Sequence, residues 1–202
     1  MTTGDATRFT RILLTGPPGI GKTTICKNLV PLLEKKYTID GFYTEELRDS
    51  NKMRIGFDII SIKNSEIRTP LARIANTLNK QQFQKHRVGN YHVFIENFES
   101  IALPTLDSKM DLLFIDEIGK MELFSDKFFT TVNNLFFKGD NSRKNIIIAT
   151  IPQMHKVPPR HVSFFQQFYK DNFCKIIDVN RENRNSLPEE IYAIISNISP
   201  KI

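Results

Sequence analysis

Gly16, Gly21, Lys22 and Thr23, within "LLTGPPGIGKTT", stand at the spacing Gly-x-x-x-x-Gly-Lys-Thr. That spacing suits a polyphosphate. Glycines let backbone N–H groups approach phosphate oxygens with no Cβ in the way. The lysine reaches β- and γ-phosphates, and the threonine hydroxyl ligates Mg²⁺. The residues expected to bind a nucleotide are Gly16, Pro17, Pro18, Gly19, Ile20, Gly21, Lys22, Thr23 and Thr24. Pro17 and Pro18 stiffen the loop, so less order is lost on binding. A second stretch, "LLFIDEIGKMEL", ends an apolar run in two consecutive carboxylates, Asp116 and Glu117. Asp116 is expected to hold Mg²⁺ with Thr23. Glu117 can orient or deprotonate a water that attacks the γ-phosphate, which makes Lys22 and Glu117 the expected catalytic residues.

Other reactive side chains carry less. Thr150, closing "NIIIAT", reads equally as a contact to the γ-phosphate or attacking water and as a plain strand end. His86, His92, His155 and His161 lack metal-ligand spacing and read as structural or surface residues. Cys26 and Cys174 are isolated, which suits a reducing compartment. One of Arg54, Arg73, Arg87, Arg160 or Arg184 is expected to neutralise charge on a transferring phosphoryl group.

These residues need rigid elements to hold them. Short apolar runs alternating with amphipathic stretches predict parallel strands covered by helices on both faces. The strands are Arg11–Thr15, Asp111–Asp116, Asn145–Thr150 and Phe173–Val179, and "VGNYHVFI" reads as one more. Helices are expected over Lys22 to Lys36, Ser125 to Lys138 and His161 to Lys170, with a last one starting near Pro188. Pro31 should bend or shorten the first. Phe128, Phe129, Val132, Leu135 and Phe136 repeat at helical spacing, a core stripe, and Phe164, Phe165 and Phe168 read the same way. "GFYTEELRDSNKMRIGFDII" looks like a β-hairpin turning at "RDSNK". The two site strands leave room for a strand between them, the RecA-like arrangement of P-loop NTPase folds. The expected architecture is α/β in three layers, with a mostly parallel central sheet and the hairpin as an elaboration. One domain is expected over 1–202.

The chain has 202 residues, 16 phenylalanines, 40% hydrophobic residues and a net charge of +6, enough apolar mass for a sizeable core. The N-terminal "MTTGDATRFT" has no apolar stretch of a signal peptide, and no run approaches the ~20 residues needed to span a bilayer. A soluble intracellular protein, cytoplasmic or nuclear, is expected, with no membrane partner. Basic charge permits nucleic acid, but no basic stripe interleaved with aromatics supports it. A monomer is expected.

"GPPGIGKTT", "DGFYTEELR", "RIGFDI", "RVGNY", "DEIGKMEL" and "ENRN" occur in this order from about Arg11 to about Asn185. In these segments the chain resembles the THEP1 family of nucleoside-triphosphatases. The resemblance implies a RecA-like fold and slow Mg²⁺-dependent hydrolysis of several nucleoside triphosphates to diphosphate and phosphate. It carries Lys22, Thr23, Asp116 and Glu117 into the roles derived above. Lys120, Arg54, Arg73 and Arg87 sit in family-like segments, whereas Gln81–Arg87 and the "DNSRKN" turn look particular to this chain. Base tolerance fits, because every contact so identified falls on phosphate or metal, and no "NKxD" guanine-reading motif is present. Two other readings share the cradle: a nucleotide or small-molecule kinase, and a nucleotide-gated, nucleic-acid-associated switch. A kinase needs a lid with arginines, for which "RTPLARIANTLNKQQFQKHR" is the one loose candidate.

Overall fold

The computed structural model describes residues 9–138 and 145–200. Residues 1–8 and all of the "DNSRKN" turn except Asn145 lie outside the described residues. In chain order the elements are β1 (Arg11–Thr15), α1 (Lys22–Leu33), β2 (Ile39–Arg48), β3 (Arg54–Ser61), β4 (Arg68–Ile74), β5 (Arg87–Val88) and β6 (Tyr91–Val93). Then follow α2 (Ile95–Leu106), β7 (Leu112–Ile115), α3 (Asp126–Asn133), β8 (Ile146–Thr150), α4 (Val162–Lys170), β9 (Cys174–Asp178) and α5 (Leu187–Ser196).

Among the described residues nine strands form one sheet, in the order β5-β6-β4-β3-β2-β7-β8-β1-β9. The half running from β2 to β9 is parallel. The half from β2 to β5 is antiparallel. The sheet is therefore mixed, and the expectation of a mostly parallel one holds only for the first half. Polar turns of a few residues, such as that at Asp49–Met53, join neighbouring strands antiparallel, whereas a parallel pair needs a long crossover.

Each strand of the parallel half is apolar because both its faces are covered. In β1, Leu13 packs into one core cluster while Ile12 and Leu14 pack into the other, as alternating side chains must. One face is closed by α1 and α5 through Ile25, Cys26, Leu29, Leu33, Leu187, Ile191 and Ile195. The other is closed by α2, α3 and α4 through Phe98, Ile101, Phe128, Val132, Phe164, Phe165 and Phe168. Phe128 and Phe136 are buried, and Phe129 and Leu135 pack against the same cluster, so the expected stripe is core. Among the described residues no helix is long and apolar enough to cross a membrane.

Four local expectations change. "VGNYHVFI" is not one strand: Gly89, at φ +56°, lies in a tight turn that folds β5 back on β6, pairing Val88 with Tyr91. Its last residue, Ile95, already opens α2, a helix the sequence reading missed. Pro104 argues against helix there, yet Phe98, Ile101, Ala102, Thr105 and Leu106 carry the helical period. The helix expected over Ser125 to Lys138 is regular only to Asn133 and ends in a π-helical turn, Asn134–Lys138. That wider turn lets consecutive Phe136 and Phe137 both meet Phe168, at 4.8 and 5.1 Å between ring centroids. The stretch that is only a loose candidate for a kinase lid begins as β4, whose Arg68 and Arg73 both grip Asp58, at 2.7 and 2.5 Å.

Candidate active site

The parallel register brings the site together. Leu13 lies beside Ala149, and Phe114 beside Ile148, so β1, β8 and β7 end at one edge of the sheet. The strand expected between the two site strands is β8. At that edge Thr15 leads into the glycine loop, Thr150 ends β8, and Asp116 follows β7. Ligands of open α/β sheets collect at this end.

The loop is built for close approach. A Cβ on Gly16 would lie 2.6 Å from the Val179 carbonyl oxygen, and φ is +146° there, so only glycine fits. Ile20 N–H closes a turn on the Pro17 carbonyl at 3.3 Å, and Ile25 N–H begins α1 from the Gly21 carbonyl at 2.9 Å. The first N–H groups of α1 stay free of intrahelical partners, an anion-binding end. Lys22 is buried, and its Nζ donates to the carbonyls of Gly16 at 3.0 Å and Pro17 at 3.4 Å. Its ammonium is thus held across the mouth of the loop.

The carboxylates are held from both sides. Asp116 N–H donates to the Phe42 carbonyl of β2 at 3.2 Å, and Ile118 N–H to the Thr150 carbonyl of β8 at 2.9 Å. Thr150 is fully buried, and its hydroxyl donates to Asp116 Oδ1 at 2.5 Å. Thr150 therefore orients Asp116, where the sequence left a substrate contact or a plain strand end. Asp116 Oδ2 is buried with no hydrogen-bond partner. Burial raises the Asp116 pKa, while the hydroxyls of Thr150 and Thr23 and the Lys22 ammonium pull it down. A buried carboxylate oxygen without a hydrogen bond, in a group that also feels the Thr23 hydroxyl, is a hard donor set that a divalent cation would complete. No group of three or more His, Cys, Asp or Glu side chains among the described residues could hold a metal. Such an ion would need substrate oxygens beside Thr23 and Asp116, as magnesium in nucleotide sites does.

Glu117 opens into two adjoining cavities. One, of about 380 Å³, runs over Pro18, Gly19, Gly21, Lys22, Thr23 and Thr24 and reaches Arg54. The other, of about 270 Å³, extends from Gly16 and Lys22 to Lys120, Glu122 and Lys156. Glu117 is partly exposed through these openings yet densely surrounded by protein. Burial raises its pKa first, Asp116 adds to the rise, and Lys22 opposes it.

Glu122 was missed. It is 5% exposed, and its Oε2 lies 2.8 Å from where a Cβ on Gly119 would stand, against 2.6 Å for Glu117 Oε1. The bare Cα of Gly119 thus makes room for two carboxyls. Burial, then Glu117, push Glu122 up to about 8, against the backbone N–H groups of Glu122 and Gly119. The available signal was an acid set between apolar Met121 and Leu123 in "DEIGKMEL". A carboxyl at about 8 in the folded chain and near 4.5 unfolded binds an extra proton when folded across that window. Stability from this group is full below 4.5 and is lost as pH rises to about 8. Glu122→Gln, which mimics the neutral acid, should raise the melting temperature relative to the parent at pH 8.5 and give little gain at pH 4.5. An equal difference in melting scans at both pH values would contradict this assignment.

The five arginines divide. Arg54 lines the larger cavity, ion-paired with Glu46. Arg184 lies over Gly21, its Cδ 4.0 Å from where a Cβ on that glycine would stand. Arg73 is tied to Asp58 and to the Phe57 carbonyl, Arg87 lies on β5, and Arg160 stacks on Phe124 at 5.5 Å. Three histidines sit in ring contacts: His86 with Phe124, His92 with Phe83 and His161 with Phe129.

A family model described as NTPase matches residues 11–192. Nucleoside-triphosphatase THEP1 of Thermotoga maritima is 38% identical over 191 residues, 92% of this chain and 95% of that protein. The crystal structure of THEP1 from Aquifex aeolicus superposes with a TM-score of 0.69 at 32% identity, covering 90% of this chain and 96% of that one. The solution structure of a human cancer-related nucleoside triphosphatase gives 0.71 at 35%, covering 93% and 97%. With the family model matched over residues 11–192 and nearly the whole length shared with these relatives, this chain belongs to the NTPase family that includes the THEP1 nucleoside-triphosphatases.

Proposed function

We propose that this chain is a Mg²⁺-dependent nucleoside-triphosphatase, a single RecA-like domain that splits several nucleoside triphosphates into diphosphate and phosphate. The observation that carries the reading is convergence: Lys22, Thr23 and Glu117 line one cavity, and the carboxylate of buried Asp116 interacts with both Thr23 and Lys22. The names of its relatives support the same activity.

The chain's own groups bind the triphosphate and move the proton. The loop N–H groups and Lys22 bind the β- and γ-phosphates and meet their negative charge. Thr23 and Asp116 would hold Mg²⁺, which when bound offsets charge on the β- and γ-oxygens. Glu117 accepts a proton from a water whose oxygen attacks the γ-phosphorus. The bond from that phosphorus to the bridging oxygen breaks, and the diphosphate leaves with the electron pair. A raised Glu117 pKa suits a base that must take a proton near neutral pH. Base tolerance follows from contacts made to phosphate, which all nucleotides share.

The test is phosphate release from ATP, GTP, CTP and UTP with Mg²⁺ or with excess chelator. Comparable release from all four, lost on chelation, is expected. Release from a single nucleotide would remove the base tolerance, and no release from any would remove the function.

A further inference from the structure

The loop between β9 and α5 is held more firmly than an exposed connection requires. Asn180 Oδ1 accepts from the N–H groups of Glu182 and Asn183, at 2.8 and 3.0 Å. Asn183 Oδ1 accepts from Asn180 N–H at 2.9 Å, and its Nδ2 donates to the Asp178 carbonyl at 2.9 Å. The loop is also joined to the phosphate loop: Val179 N–H donates to the Thr15 carbonyl at 2.8 Å, and its own carbonyl abuts Gly16. Asparagine turns of this kind pre-set a backbone.

What this loop presents is Arg184. It is exposed, and among the described residues it forms no ion pair within salt-bridge distance. Its Nη1 reaches the Ile20 carbonyl at 3.4 Å, which sets the guanidinium beside the end of the phosphate loop. A triphosphate has two ends. With its γ-phosphate near Glu117, its nucleoside lies at the other end of the phosphate chain, and one direction open to it runs over Gly21 at the start of α1. Arg184 stands there.

We propose that Arg184 forms one wall of a nucleobase subsite, its guanidinium plane lying against the face of the base. The proposal rests on the nucleoside-triphosphatase reading and extends it to the nucleoside. A guanidinium stacks on aromatic rings, and every base offers such a face. The contact adds affinity without reading base edges, so it accepts every base and grips the larger faces of purines more strongly than those of pyrimidines. An arginine here could instead meet the α-phosphate, and the experiment separates the two.

KM and kcat are measured for ATP, GTP, CTP and UTP, with the inhibition constant of inorganic tripolyphosphate, in the parent, Arg184→Ala and Arg184→Lys. A stacked arginine predicts a KM rise of about five- to thirtyfold for purines in the alanine variant. Pyrimidines, with smaller faces, should lose less. The loss should fall on KM, lysine should restore little of it, and tripolyphosphate should inhibit as before. Equal weakening of tripolyphosphate and nucleotides would overturn the subsite in favour of a phosphate contact, and an unmoved KM would overturn it altogether. Turnover by the parent in the same assays keeps either failure distinct from a failure of the hydrolase reading.

Discussion

Glu117→Gln should keep nucleoside triphosphates bound and lose turnover by ~10²–10⁴-fold, the usual contribution of a general base. Glutamine retains the size and hydrogen bonding of the side chain but cannot accept the water's proton. Asp116 cannot stand in for it, because Oδ1 is committed to Thr150 and the whole group is 2% exposed. Glu122 is a poor substitute as well, since at about 8 it carries its own proton at neutral pH. Affinity should hold or tighten slightly, as a carboxylate facing the γ-phosphate has been neutralised. Nucleotide titration beside single-turnover hydrolysis measures both quantities. Asp116→Asn should behave differently, weakening Mg²⁺-dependent binding together with turnover.

Lys22→Ala should act on binding first. Lys22 is buried, and its ammonium is bonded to the carbonyls of Gly16 and Pro17, so its deletion leaves two acceptors and the cavity without their cation. Truncating one partner of a buried charged contact costs about 2–5 kcal/mol. At the low end this is already about thirtyfold in Kd for a triphosphate. Diphosphates should lose less, because the lysine also serves the γ-phosphate. Equilibrium binding of a triphosphate and its diphosphate to both proteins checks this. Unchanged affinity would mean that the cradle is assigned to the wrong residues.

Chemistry carried by neighbours in the chain was legible in the sequence. Gly16 to Thr24 lie within nine positions, between an apolar strand and a helix, and Asp116 ends its own apolar run. The parallel strands were legible for the same reason: two buried faces demand continuous apolar residues. Chemistry assembled across the chain was not. Thr150 reaches Asp116 from a strand 34 residues on, and Arg184 meets Ile20 across 164. The burial of Glu122 depends on Gly119 and on the packing of Met121 and Leu123, none of which a carboxylate in a string of letters reveals. In the antiparallel half, short strands such as β5 and β6 carry too few residues for a period to show. Pro104 hid α2 by breaking a local rule that tertiary packing overrides.

In the proposed reaction water, directed by Glu117, attacks the γ-phosphorus of a triphosphate held by the glycine loop. Hydrolysis of ATP with Mg²⁺ in oxygen-18 water reads that bond directly by mass spectrometry. One heavy oxygen in each released phosphate, none in ADP, and no need for an added acceptor are expected. Label appearing in ADP, or phosphate transfer only when an organic acceptor is supplied, would contradict it.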